Sequence, residues 1–173
     1  MVEIVNGSLF DSDAELIVHQ VNCVGKMGAG VAKQVHDYYP HVYKEYIKYI
    51  NHFLKHEVSP LGTAQFVPIH VWALPMVDTM KSSSVFNYDA RDCQYIVNLF
   101  GQEDIGTGMQ TDVNAFKNAL MSIKTVAEAQ NMRVAMPYKI ACGHGGANWN
   151  DIFSIIKQVF DQSSVHVELW KLD

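Results

Sequence analysis

Two stretches of this chain set a cluster of glycines between a short apolar run and a segment of helical periodicity. They are Val21-Asn22-Cys23-Val24-Gly25-Lys26-Met27-Gly28-Ala29-Gly30 and Ala141-Cys142-Gly143-His144-Gly145-Gly146-Ala147. Each apolar run has the length of a buried strand, so each stretch reads as strand, loop, helix. At such junctions backbone N–H groups can point at an anion, and the helix dipole favours negative charge. Glycine lets the backbone turn tightly and approach a ligand with no Cβ in the way. Two such loops in a chain of 173 residues suggest a ligand with two phosphates, gripped from both sides.

The rest of the chain alternates between the two periodicities. Strands are expected at Val2–Val5, Leu16–Val21, Ala64–Val71, Tyr95–Leu99, Arg133–Pro137 and Val165–Leu172. Helices are expected at Ala29–Tyr39, stopped by Pro40, and at His41–His56. Thr111–Gln130 is a third helix, capped by Thr111 or Asp112, with Val113, Phe116, Leu120, Ile123 and Ala127 on one face. Asn148 caps a fourth, from Trp149 to about Phe160. Strands alternating with helices imply an α/β sandwich around a mixed sheet, in one domain over residues 1–173. Between Trp72 and Asp92 the periodicity fails, which marks an inserted loop: a surface excursion, or a lid or partner contact.

Composition excludes several classes. Apolar residues make up 49% and charged ones 18%, a globular balance, and the net charge of −5 without a dense Lys/Arg run argues against a nucleic-acid surface. Met1–Val5 has neither a basic nor an apolar leader character, and no apolar stretch approaches membrane-spanning length. Cys23, Cys93 and Cys142 are scattered and odd in number, so no disulfide framework is indicated. The expectation is a cytoplasmic protein with no membrane contact.

His19-Gln20-Val21-Asn22-Cys23-Val24-Gly25-Lys26-Met27-Gly28-Ala29-Gly30-Val31-Ala32, followed by Tyr39-Pro40, resembles the first ligand loop of macrodomains. The resembling branch holds the terminal ADP-ribose protein glycohydrolase and the yeast-type ADP-ribose-1″-phosphate phosphatase. Asn98–Gln102, Gln110-Thr111-Asp112, Met136-Pro137-Tyr138 and Cys142-Gly143 with Trp149 follow in that family's order. The resemblance covers nearly the whole chain outside the 72–92 stretch. It implies a three-layer α/β/α sandwich that binds ADP-ribose or a derivative at the carboxyl ends of the strands. Gly25, Lys26, Met27, Gly28, Ala29 and Gly30 would cradle one phosphate and the distal ribose, with Asn22 reaching that ribose. Ile140, Ala141, Cys142, Gly143, His144 and Gly145 would close on the other phosphate. Trp170 and Leu172 would supply the adenine pocket, and Ser8 and Leu9 stand where relatives carry Asp and an aliphatic residue. No cofactor and no metal are implied.

The catalytic positions depart from the family. The glycohydrolase relatives use a lysine after the Tyr95–Leu99 type of strand and an aspartate in the second glycine loop. Alignment puts Phe100 and Gly145 there, and neither supplies an amine or a proton. His19 matches a histidine implicated in the phosphatase and is the candidate base, with core packing as its alternative. His144 could meet a phosphate or be merely exposed, and Asp112 reads as a helix cap. Cys142 with His144 or His19 is a conceivable nucleophilic site. His52 and His56 have metal-ligand spacing, but a third ligand is missing and a solvated helix face explains them. Hydrolysis of an ADP-ribose derivative, foremost ADP-ribose 1″-phosphate, and plain ADP-ribose binding both remain open.

Overall fold

Seven consecutive residues, Leu16–Asn22, form a central, almost wholly buried strand, β2. Its run of β-branched and aliphatic side chains has no polar face until the carboxyl end, as expected of a strand covered on both sides. The structure is a computed structural model and describes residues 1–70 and 94–172. The 72–92 insertion inferred from sequence lies outside the described residues.

Around β2 lie β1 (Val2–Asn6), β3 (Ala64–Pro68), β4 (Tyr95–Gln102), β5 (Val134–Pro137) and β6 (Val167–Lys171). They make one sheet of order β1-β6-β5-β2-β4-β3. Every pairing is parallel except β3 with β4, which places a single antiparallel strand at one edge. Helices α1 (Gly30–Tyr38) and α2 (Pro40–Lys55) cover one face, and α3 (Val113–Gln130) and α4 (Trp149–Phe160) cover the other. The three-layer mixed-sheet α/β sandwich expected from sequence is the observed fold.

Alternation along β2 sorts the core. Leu16 and Val18 pack with Phe116, Leu120 and Ile156 under α3 and α4. Ile17 packs with Val35 and Val42 under α1 and α2, and Val21 joins Tyr46 and Phe100 on the same side. Pro40 does not merely stop α1. It occupies the first turn of α2, where its fixed φ suits the helix and its missing N–H is harmless. In α3 the buried face also includes Ala115 and Ala119, small residues that let the helix approach the sheet.

Candidate functional site

The β2 strand ends at Asn22, and the first glycine loop is folded around that one side chain. Asn22 Nδ2 donates to the Lys26 carbonyl, while its Oδ1 accepts from the N–H groups of Val24 and Lys26. From beneath, the buried Tyr46 hydroxyl donates to the Asn22 carbonyl at 2.7 Å and to Oδ1 at 2.8 Å. Gly25 takes φ 77°, and a Cβ there would meet Ile47 Cδ1 at 3.0 Å. With the amide so engaged, Asn22 frames the loop more than it reaches out of it. Met27, expected beside the ligand, is instead buried with Val21, Tyr46 and Phe100, because it is the loop's one large apolar side chain.

The loop then enters α1. Helices α3 and α4 are capped by the side chains of Asp112 and Asn148. The residue at the α1 cap is Ala29, with no side chain to accept. The N–H groups of Ala29, Gly30, Val31 and Ala32 consequently find no acceptor among the described residues. Uncapped first-turn amides with the positive end of the dipole behind them suit an anion.

The second loop, residues 138–147, faces the first. Lys139 and Ala141 hold φ 61° and 68°, left-handed values that non-glycine residues rarely adopt. Strain of this kind clusters at ligand clamps, and alternating handedness turns successive amides to one side. The N–H groups of Ala141, Gly143, His144 and Gly145 have no acceptor among the described residues. A Cβ on Gly30 would lie 4.0 Å from the His144 ring, so the loops nearly touch there.

Between them lies a cavity of about 630 Å³, at the carboxyl ends of β2 and β5. His19, Asn22, Lys26, Gly28, Ala29, Gly30, Ile140, Ala141, Gly143, His144 and Gly145 all contribute to its wall. Gly28 and Gly143 border open space: a Cβ on either meets nothing within 4 Å. In a chain of net charge −5, the charged side chains of this wall among the described residues are Lys26 and Lys139, with no carboxylate beside them.

Other expected site residues lie elsewhere. Gly25 shapes the loop without lining the cavity, and Cys142 turns its thiol to the Ile140 carbonyl at 3.3 Å. Ser8 accepts from the Phe10 N–H and Leu9 is buried, because the chain makes a 3-10 turn there. Trp170 packs over Gly7 and donates to Glu168, and Leu172 is exposed. None of these four lines the cavity. Cys23 and Cys142 are also poor nucleophiles, since burial raises both thiols, Cys23 to about 11. His52 and His56 stack edge to face on the exposed side of α2, apart from the one metal-capable trio of the described residues, Glu3, His166 and Glu168.

Phe100 needs a correction. It is fully buried against α2, its ring stacked on Tyr46 and Tyr49 at centroid distances of 5.7 and 5.3 Å. A bulge at Gly101 shifts the register, pairing Val21 with Phe100 but Asn22 with Gln102. The β4 side chain on the cavity wall is therefore Gln102. Gln20 Nε2 donates to Gln102 Oε1 and to Thr111 Oγ1, and Thr111 donates to the Ala141 carbonyl. Nothing in single-strand periodicity pointed to this trio, since a bulge reverses which side chains share a face.

His19 is 1% exposed. Burial lowers its pKa to about 4, against a weaker opposing effect of the Asn98 hydrogen bond. The ring is neutral at pH 7, with Nε2 on Asn98 Oδ1 at 2.7 Å and Nδ1 without a partner among the described residues.

The Macro domain family model matches residues 18–156, spanning both loops and the cavity. This chain belongs to that family. The DNA ADP-ribosyl glycohydrolase of Mycobacterium tuberculosis is 26% identical over 168 residues, 94% of this chain and 39% of that protein. The chain thus spans well under half the length of the curated relatives it matches. Among solved structures, the macrodomain of Mycobacterium tuberculosis DarG superposes with a TM-score of 0.73 at 24% identity, covering 98% of this chain and 97% of that one. Thermosipho africanus DarTG in complex with ADP-ribose gives 0.71 at 18% identity, covering 98% of this macrodomain and 41% of that chain. Among the described residues no helix is long and apolar enough to cross a membrane.

Proposed function

We propose that this macrodomain binds ADP-ribose in the cavity between its glycine loops and hydrolyses an ADP-ribose derivative, foremost the phosphate monoester ADP-ribose 1″-phosphate. The observation that carries the reading is the wall itself: among the described residues it holds two sets of unpaired amides, two lysines and no carboxylate. That is the complement of a diphosphate. A relative that acts on ADP-ribosyl groups and a structural neighbour holding ADP-ribose support the ADP-ribose part of this reading, and not the choice of a phosphate monoester.

The same wall separates reaction classes. Cleaving a glycosidic bond usually employs a pair of carboxylates or a covalent nucleophile. Gln102 and Gly145 offer neither. Hydrolysis of a phosphate monoester needs positive groups around the phosphate and a base for water, and amides, Lys26 and His19 answer that description. In this reading His19 takes the proton of the attacking water. A second reading, ADP-ribose binding without turnover, is favoured by one feature: a ring held near pKa 4 is a weak base at pH 7.

The deciding experiment incubates pure protein with ADP-ribose 1″-phosphate, ADP-ribosylated protein and ADP-ribosylated DNA in parallel. Phosphate release from the first supports the phosphatase. Release of ADP-ribose from DNA would align this chain with its named relatives instead. Binding of ADP-ribose by calorimetry with no turnover of any substrate leaves the binding module.

A further inference from the structure

His19 sits at one end of a hydrogen-bonded chain that crosses three strands under α2. His19 Nε2 and Asn98 Oδ1 are directly opposed across β2 and β4. Asn98 Nδ2 donates to Gln65 Oε1 at 3.0 Å, across β4 and β3. Gln65 Nε2 donates to the Glu45 backbone carbonyl at 2.9 Å, on α2.

The last link sets the direction of all the others. A carbonyl can only accept, so the group of Gln65 facing Glu45 must be its NH₂. Its oxygen then faces Asn98 and must receive the Asn98 NH₂. The Asn98 oxygen is thereby left facing the ring, and it can only accept from a protonated Nε2. A neutral imidazole carries one proton, so the other nitrogen, Nδ1, holds a lone pair. That nitrogen is buried and has no partner among the described residues, in a residue of the cavity wall.

We infer that Asn98, aligned by Gln65, is a positioning residue that fixes His19 as the Nε2–H tautomer, so that the cavity is offered an Nδ1 acceptor for a hydroxyl of the ligand. The inference rests on the ADP-ribose reading only for the ligand's identity. Nδ1 is closed off from solvent in the ligand-free protein, so a sugar hydroxyl reaches it as the wall shifts to admit the ligand, and it then supplies the donor that a buried acceptor is costly to lack. An amide serves here where a carboxylate would not. Aspartate at 98 would favour the imidazolium, which has no lone pair left to offer. Lys26, Tyr138, Lys139 and His144 share the cavity wall with the ring, and Glu45, Tyr46 and His41 lie on the covering helix.

The test is nitrogen NMR on protein with labelled histidine, which distinguishes a protonated ring nitrogen from a lone-pair one. Ligand-free protein at pH 7 should show His19 as one tautomer with the proton on Nε2. A proton on Nδ1, or an even mixture, overturns the inference whatever the protein binds. Addition of ADP-ribose should then move the Nδ1 resonance as it accepts a hydrogen bond. Loop amides that respond while Nδ1 stays fixed would overturn the ligand contact. If no cavity resonance responds, the ADP-ribose reading fails, and the ligand-free spectrum still decides the tautomer. Gln65→Met keeps the size of a half-buried edge residue but lets the Asn98 amide turn over. It should give a tautomer mixture and weaken ADP-ribose about threefold to tenfold, although Gln65 does not line the cavity. An unchanged tautomer in this folded variant would show that Gln65 does not set the direction.

Discussion

Nε2 of His19 lies 2.7 Å from Oδ1 of Asn98, its direct neighbour across the β2–β4 pair, in the most buried part of the cavity wall. Burial keeps the ring neutral and closed to bulk water while Asn98 orients it, and several measurable consequences follow.

The first consequence is a stability difference with pH. In the unfolded chain His19 titrates near its ordinary value of 6.5, and in the folded protein near about 4. Between those values the unfolded state binds the extra proton, so stability must rise with pH across the window. The contribution is fully present above about 6.5 and is lost as pH falls toward 4, on the order of 3 kcal/mol in all. Urea unfolding of wild type and His19→Gln at several pH values should show the two curves diverging in that window. Parallel curves would mean the ring is not buried as described.

Replacing the base should separate turnover from binding. With ADP-ribose 1″-phosphate as substrate, His19→Ala should lower kcat by about a hundredfold or more. ADP-ribose affinity should fall by less than about tenfold, because the amides of both loops remain. Steady-state kinetics and calorimetry on the same preparation check both halves.

The lysines of the wall should act through charge. Lys26→Glu with Lys139→Glu should weaken ADP-ribose on the order of tenfold to a hundredfold at low salt, with the gap narrowing as salt rises. An affinity untouched by charge reversal would place the diphosphate elsewhere.

Tyr46→Phe tests the frame beneath the first loop. The lost hydroxyl leaves the Asn22 carbonyl without its donor from α2. A destabilisation of about 1–3 kcal/mol is expected in chemical denaturation. ADP-ribose binding should weaken in the same variant, since the loop geometry depends on Asn22.

Glycine positions bordering open space give the complementary result. A Cβ at Gly143 or Gly28 meets nothing within 4 Å, so in Gly143→Val or Gly28→Val melting temperature should change little while ADP-ribose binding is lost or severely weakened. A variant that binds normally would show that the ligand does not approach that backbone.

Much of the fold was legible because hydrophobic period and punctuation agreed. The β2 run, Pro40, the Asp112 and Asn148 caps and the two glycine clusters each carry a local signal, and the observed elements begin or end within a few residues of them. The cavity's frame was legible for the same reason. The parts that escaped depend on interactions between distant segments. The Gly101 bulge breaks the period of two, so β4 runs to Gln102 and turns that side chain, not Phe100, to the wall. The polar ladder of Gln65, Asn98 and His19 is spread over three strands, and none of its members is near another in sequence. Met27 escaped because an apolar residue inside a glycine loop has the choice of ligand or core, and only the packing under α2 decides it.

Gly145 carries a consequence for how this site can change. A Cβ there would fall 2.3 Å from the Ala141 carbonyl, 2.4 Å from Thr111 Oγ1 and 2.7 Å from Gln20 Nε2. The amide and hydroxyl that anchor the second loop have taken up the room an acidic side chain would need. A side chain cannot enter this corner by one substitution: the Ala141 backbone carbonyl, Thr111 and Gln20 would all have to give way, and each of those steps loosens the loop before anything is gained. The macrodomain is held to chemistry without an acid at this position by the way its neighbours have filled in.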